Sequence, residues 1–177
     1  MISKKMAAQL NKQLNAEAYA GYLYLAMSAD AASKGLAGTA NWFFVQFQEE
    51  LTHALRIYNY LASVGEKPRL DAIDKPPLTF ASAKAMFDAA LKHEKKVTGM
   101  INKLVNLARS EKDHATDVFL QWFVSEQVEE EENVNDILAR FKLASTERGG
   151  VFMIDKELAT RVFNAPVDIA QLNTAGA

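Results

Sequence analysis

The chain has 177 residues, enough for one domain with a sizeable core, and it contains no cysteine. Disulfides, thiolate zinc sites and iron–sulfur clusters are therefore excluded, and any metal must be held by oxygen and imidazole ligands. The 20 basic and 22 acidic residues give a formal charge of −2, without the basic stripe that nucleic-acid binding requires. No stretch approaches the roughly 18 apolar residues of a membrane span, and the N-terminus lacks an apolar signal core. We expect a soluble, cytoplasmic protein with neither a nucleic-acid nor a membrane partner.

Apolar residues recur at helical spacing in four long segments. In chain order, the spacing predicts helices over 4–33, 39–64, 81–109 and 114–144. Short polar connections join the first segment to the second and the third to the fourth. Such short connections make each of these helix pairs antiparallel.

The connection between the second and third helices is longer and rich in proline. Three of the four prolines, Pro68, Pro76 and Pro77, lie between Gly65 and Phe80. A helix of about 27 residues is about 40 Å long, and about 15 extended residues span about 50 Å. The stretch can therefore run the full length of a bundle and leave the second and third helices parallel. The predicted fold is all-α, a four-helix bundle with one long crossover.

A short fifth helix is predicted near the C-terminus. The pair Gly149–Gly150 is typical of a helix terminator, and Asp155 is a suitable N-cap for a helix over about 155–163. We expect a single domain over 1–165. The weakly patterned tail, 166–177, is compatible with disorder.

Polar residues at the helix midpoints repeat with one spacing. Glu17 stands 33 residues before Glu50, and Glu50 forms a Glu-x-x-His with His53. The second half of the chain repeats this pattern with Glu94, Gln127 and Glu130. On its own, a Glu-x-x-His on a helix is more often a surface pair. The matched spacing in both halves, within the apolar stripe of each helix, favours a site inside the bundle.

Carboxylates in a core must pair with a cation, take up a proton or bind metal. His53 is the one cationic side chain that the periodicity places at this level. Four or so converging carboxylates repel one another, and two divalent ions would neutralise them. One Glu from each of two helices, with a Glu-x-x-His-type pair from each of the other two, is the ligand scheme of di-iron carboxylate bundles. The acidic run 129–132 is equally typical of a solvated face, although four consecutive residues cover all sides of a helix.

Other polar and aromatic residues lie on or beside the helices that carry this pattern, and one of them, Tyr24, has two open interpretations. Tyr24 lies seven residues after Glu17 and could hydrogen-bond a ligand carboxylate, or it could be an ordinary core tyrosine. We expect His93 and His114 on the surface, with His93 turned about 100° from its neighbour Glu94. The outer aromatic residues are candidates for contacts between subunits.

The residues that carry the pattern resemble those of the ferritin family, specifically its bacterial non-haem members, over nearly the whole chain. The matching segments are Glu17-Ala-Tyr with Tyr24, Gln48-Glu-Glu-Leu-Thr-His53, His93-Glu94, and Phe119-Leu-Gln-Trp-Phe-Val-Ser-Glu-Gln-Val-Glu-Glu-Glu131. The resemblance implies an iron store. It implies a homo-oligomeric shell of twenty-four subunits in which each bundle oxidises Fe(II) with O₂ or hydrogen peroxide and ferric mineral collects inside.

The resemblance also implies a role for each matching residue. It implies that the first iron is bound by Glu17, Glu50 and His53. It implies that the second iron is bound by Glu50 as a bridge, Glu94 and Glu130. Gln127 and Tyr24 resemble hydrogen-bonding residues around the ligands. A third iron site is implied at Glu49, Glu126, Glu129 and the shared Glu130.

Departures from related families narrow this prediction. Bacterioferritins carry a second Glu-x-x-His where this chain has Gln127 and Glu130, and a haem-binding Met where it has Leu51. We therefore expect no haem. Two other functions stay open: a di-iron or di-manganese oxidase or peroxide-detoxifying bundle that stores nothing, and a metal-free helical scaffold whose buried acids are protonated.

Overall fold

The computed structural model describes residues 2–144 and 149–164. Within those residues the regular elements are five helices, without a strand. The helices are α1 (Lys4–Ser33), α2 (Ala37–Ser63), α3 (Ala83–Ser110), α4 (His114–Ala144) and α5 (Gly150–Leu158). The four long helices confirm the predicted segments to within about two residues at each end. None of the five helices combines the length and apolar character that crossing a bilayer demands.

The described residues divide into two compact units. The first unit consists of 2–10, 80–144 and 149–154, and the second of 11–79 and 155–164. The single domain expected over 1–165 stays a prediction. The tail expected at 166–177 lies outside the described residues.

The first unit is built on the α3–α4 hairpin. The Ser82 side chain caps α3 by accepting a hydrogen bond from the Ala85 N–H at 3.1 Å. Only residues 111–113 separate the two helices, so α4 runs back along α3. Phe87 near the start of α3 accordingly lies against Phe141 near the end of α4, with ring centroids 5.7 Å apart.

The second unit contains the corresponding α1–α2 hairpin. Gly35, at φ +73°, allows the tight turn between the helices. The Ser28 hydroxyl donates to the Ala40 carbonyl at 2.8 Å, and Tyr24 stacks on Phe43 with centroids 5.9 Å apart. From Tyr24 to Ser28 along α1, the partner in α2 changes from Phe43 back to Ala40. The two helices are therefore antiparallel, as the short connection predicts.

The proline-rich connection has no regular secondary structure over residues 66–80. Two asparagines of α1 hold its first part. The Asn11 side-chain oxygen accepts from the Arg69 N–H at 2.5 Å, and Asn15 both donates to the Arg69 carbonyl at 2.8 Å and accepts from the Asp71 N–H at 2.7 Å. The i, i+4 spacing puts both asparagines on one face of α1, where they replace the regular partners that this backbone lacks.

The prediction for the fifth helix was wrong in its bounds. α5 begins at Gly150 and ends at Leu158, instead of running over 155–163. The Gly149–Gly150 pair therefore starts this helix. A Cβ on Gly150 would lie 2.6 Å from the Ala144 Cβ, so only glycine permits this close approach.

Asp155 caps a different helix from the one expected. Its carboxylate accepts from the N–H groups of Gly38 and Thr39 at 2.9 and 2.7 Å, and from the Thr39 hydroxyl at 2.7 Å. The residue at the N-cap position of α2, Leu36, makes no side-chain cap bond. Asp155 supplies the missing acceptor from 116 positions along the chain, which sequence periodicity does not reveal.

Candidate metal centre

Three predicted ligands meet in the second unit. Glu17 of α1 and Glu50 and His53 of α2 are exposed by 1%, 2% and 3%. Each offers one ligand atom, and these atoms lie within 4.8 Å of one another. The His53 Nδ1 is 3.3 Å from the Glu50 Oε2. Two carboxylates and one imidazole thus converge at the level where the 33-residue spacing predicts them.

Burial makes ionisation of a carboxyl group in this cluster less favourable. It raises the pKa of Glu17 above its ordinary value, because a carboxylate loses hydration when it is enclosed. The charge of His53 opposes the rise, as do hydrogen bonds with Gln13 and Glu50. Without a further cation the Glu17 carboxyl therefore holds its proton more tightly than an exposed one, and a divalent ion would reverse that preference.

Gln13 also belongs to this site, although the sequence did not lead us to predict it. It is 1% exposed, and its Nε2 donates to the Glu17 Oε1 at 2.8 Å. This bond orients the carboxylate toward Glu50 and His53. The available signal was position, because Gln13 precedes Glu17 by four residues and so lies on the same face of α1.

The first unit holds the corresponding pair from the second half of the chain. Glu94 of α3 and Gln127 of α4 are 1% and 5% exposed. The Gln127 Nε2 donates to the Glu94 Oε2 at 3.2 Å and to the Glu94 carbonyl at 3.3 Å. Glu130 is buried too, at 3% exposure, whereas Glu129 and Glu132 beside it are exposed. One residue of the acidic run therefore faces the core, as the helical geometry requires.

A second pair extends this arrangement toward the surface. Thr98 accepts from the Gln127 Nε2 at 3.3 Å and donates to the Glu131 carboxylate at 2.6 Å. Thr98 and Glu131 are again 33 residues apart, each one helical turn beyond Glu94 and Gln127. Neither residue was predicted as part of the site, although both follow the same 33-residue spacing. They line a cavity of about 320 Å³ between α3 and α4.

The remaining predicted residues differ in their surroundings. Glu49 and Glu126 are half-buried, and Glu129 is exposed. The Glu49 Oε2 accepts from the Arg161 Nη2 at 2.5 Å. Tyr24 is 1% exposed and stacks on Phe43, which agrees with a core position.

The surface position predicted for His93 was wrong. His93 is only 9% exposed, and burial, followed by the charge of Lys96, lowers its pKa to about 4. The reason is that the buried face of α3 is wider than the single stripe through Glu94, since Met86, seven residues before His93 and on the same side of the helix, is also enclosed. His114 is exposed, as predicted.

The donor set is that of a hard or borderline divalent cation. It consists of carboxylates and one imidazole, which suit Fe(II), Mn(II) and Zn(II), and cysteine is absent from the sequence. A bound cation stabilises the ionised form of a buried carboxylate, whereas an apolar core does not. These residues therefore fit a metal site better than an apolar core.

Comparison with known proteins identifies the family. A family model of the ferritin-like domain matches residues 7–144. The chain belongs to the ferritin family. This ferritin is 38% identical to the bacterial non-heme ferritin of Escherichia coli over 160 residues, 90% of this chain and 97% of that one. It is also 38% identical to the bacterial non-heme ferritin of Staphylococcus epidermidis, over 93% of this chain and 99% of the relative.

Solved structures agree with this assignment. The open pore ferritin of the hyperthermophilic archaeon Archaeoglobus fulgidus superposes on this ferritin with a TM-score of 0.90 and 43% identity, covering 92% of this chain and all of the other. The predicted fold class is thereby confirmed: an all-α, ferritin-like four-helix bundle with one long crossover and a short fifth helix.

Proposed function

We propose that this ferritin stores iron. In this proposal each chain oxidises Fe(II), with O₂ or hydrogen peroxide as electron acceptor, at a di-iron centre within the subunit. Many copies, twenty-four by resemblance, form a cytoplasmic shell that holds the ferric mineral. Iron is the substrate and the cargo, and its two ions supply the redox chemistry.

The observation that carries the proposal is the convergence of Glu17, Glu50 and His53 in an enclosed site. Three ligand atoms within 4.8 Å of one another can hold one metal ion. We assign the first iron to these residues. The matched spacing of the two halves supports assigning the second iron to Glu94 and Glu130, with Glu50 as the bridge.

The surrounding residues orient the ligands and adjust the charge. Gln13 holds Glu17, and Gln127 holds Glu94. Because the pKa of Glu17 is raised, protons compete with Fe(II) for this carboxylate more strongly than at an exposed one, so affinity for Fe(II) falls as the solution becomes more acid. The pair Gln127 and Glu130 offers no imidazole, and we expect the second iron to leave more readily than the first.

Anaerobic titration with Fe(II), followed by exposure to O₂, tests the centre. We expect rapid oxidation of about two Fe(II) per chain, or about three if a third site at Glu49, Glu126, Glu129 and Glu130 takes part. Glu94→Ala should abolish the rapid phase, and His53→Ala should slow it by about 100-fold or more because a ligand is lost. Glu132→Ala, an exposed member of the same acidic run, is the matched control. Wild-type kinetics in both ligand variants would refute the site.

Two measurements separate storage from the other functions. Sedimentation gives the size of the assembly, and a store should take up far more iron per shell than its oxidation sites can bind. An oxidase or peroxide-detoxifying bundle would oxidise iron without accumulating it. A metal-free scaffold would contain no bound metal on elemental analysis and would bind none on titration.

A further inference from the structure

Arg161 makes three contacts with one face of α2. Its Nη2 donates to the Glu49 Oε2 at 2.5 Å, and its Nη1 donates to the Gln46 Oε1 at 2.7 Å. Its guanidinium carbon lies 4.5 Å from the centre of the Trp42 ring. The partners follow one another at helical spacing, so a single planar cation is bound by a carboxylate, an amide and an aromatic ring together.

The backbone around Arg161 is held in place independently of these contacts. Asn41 donates to the carbonyls of Leu158, Ala159 and Arg161, at 3.3, 3.4 and 2.9 Å. Asp155 caps α2 three residues before Leu158. The backbone that carries Arg161 is therefore fixed beside Glu49, whereas an arginine on a mobile surface segment would have no fixed position.

The ion pair is also partly withdrawn from solvent. The Arg161 and Glu49 side chains are 21% and 25% exposed. At this degree of burial solvent screens the charges less than at an open surface. A metal ion that approached Glu49 would meet a cation already bound to one of its oxygens.

We propose that Arg161 is a built-in competitor for metal at Glu49, so that a metal ion binds Glu49 tightly only after the guanidinium has left it. The inference rests on the proposed function, in which Glu49 belongs to a third iron site. Its consequence is that the two sites differ in their affinity for metal. The site formed by Glu17, Glu50 and His53 binds its metal ion first, and the site that includes Glu49 is occupied only at higher metal concentration.

Calorimetric titration of the assembled, metal-free protein with Zn²⁺ tests the competition without redox chemistry. Arg161→Gln should tighten the Glu49-dependent binding event by about tenfold or more, the scale on which a neighbouring charge changes protonation of a carboxylate. Glu49→Gln should remove that event both alone and combined with Arg161→Gln. Arg109→Gln removes an exposed arginine paired with Asp117 and is the matched control, expected to leave every Zn²⁺ affinity unchanged.

The outcomes separate this inference from the proposed function. If Glu49→Gln removes a binding event that Arg161→Gln does not tighten, the competition is wrong although the third site is real. If Glu49→Gln changes nothing in either background, no metal binds Glu49 and the inference fails. His53→Ala tests the main centre separately, because it should weaken the tightest Zn²⁺ binding whatever Arg161 does.

Arg161 also contributes to packing, so a second measurement covers loss of assembly in the variant. Crystals of the wild-type protein soaked in Zn²⁺ should show either no zinc at Glu49 or a zinc ion there with the guanidinium displaced. Zinc bound to Glu49 while Arg161 remains within hydrogen-bond distance of it would overturn the proposal.

Discussion

At the scale of single residues, the buried carboxylate of Glu17 opposes stability in the metal-free protein. Burial raises its pKa, so the folded state binds the proton more tightly than the unfolded chain does. The bound proton therefore stabilises the folded state. This stabilisation is complete below the ordinary pKa of 4.5 and is lost as the pH rises through the pKa of the folded state. A site that must ionise to hold metal therefore costs stability until the metal arrives.

Glu17→Gln should make this cost visible. The amide keeps the shape and can still accept from Gln13, but it carries no charge to bury. At pH 8 we expect the metal-free variant to melt a few degrees above wild type, which is the shift that about 1 kcal/mol produces in a chain of this size. Near pH 4 the two proteins should melt at the same temperature. Calorimetry at both pH values measures this, with Glu132→Gln as an exposed control. Equal differences at the two pH values would contradict the explanation.

The hydroxyl of Thr98 links Gln127 to Glu131 and so helps to orient the amide that holds Glu94. Thr98→Val keeps the shape but removes both hydrogen bonds. We expect Fe(II) binding at the Glu94 side to weaken by about tenfold, the range found when groups that orient metal ligands are lost. Thr98→Ser retains the hydroxyl and should behave as wild type in the same titration. If valine and serine gave the same affinity, the hydroxyl would have no orienting role.

At the scale of elements, the docking of α5 on α2 depends on one glycine. A Cβ on Gly38 would lie 1.6 Å from the Asp155 carbonyl oxygen, which belongs to backbone and cannot swing away. The close approach lets the Asp155 carboxylate reach the N-terminus of α2, where helix charge favours an anion.

Gly38→Ala should therefore displace α5 and remove the Asp155 cap. We expect a loss of at least about 1–2 kcal/mol in unfolding free energy, the upper range for losing an N-cap. Gly99 is the matched control, because nothing lies within 4 Å of the Cβ it would gain. Gly99→Ala should stabilise α3 by about 0.5–1 kcal/mol. Denaturant unfolding checks both, and a neutral Gly38→Ala would mean that α5 does not need this contact.

At the scale of the whole molecule, α2 carries an exposed apolar ridge. Leu51, Leu55 and Tyr58 are 40%, 46% and 43% exposed and follow one another at i, i+4 and i+7. A contiguous apolar stripe on a single helix face is typical of a surface that another chain covers. In a homo-oligomer, that chain is a second copy of this one.

We propose that a second copy of the chain covers this ridge, and replacing Leu51 and Leu55 together by glutamate should then place charge in the proposed contact. We expect the assembly to dissociate into smaller species, because a buried unpaired charge costs far more than the apolar contact gains. Sedimentation velocity measures the size, and circular dichroism checks that the helices remain. An assembly of unchanged size would exclude this ridge from the subunit contact.

Much of the fold and of the site was predictable because helical periodicity is a local property. The turns between the first and second helices and between the third and fourth follow from short polar connections. Glu17, Glu50 and Glu94 were predicted in the core from their apolar neighbours, and all three are buried. Their binding of iron stays a prediction, since burial alone does not identify a ligand.

By itself, the sequence determined the four long helices, the resemblance to ferritins and the inward position of the repeated polar residues. Only the tertiary structure decided where Asp155 and Arg161 act and that His93 is enclosed. The physical reason is range. Periodicity reports which face of a helix is buried, whereas a cap or an ion pair between residues more than 110 positions apart depends on how two segments meet in space.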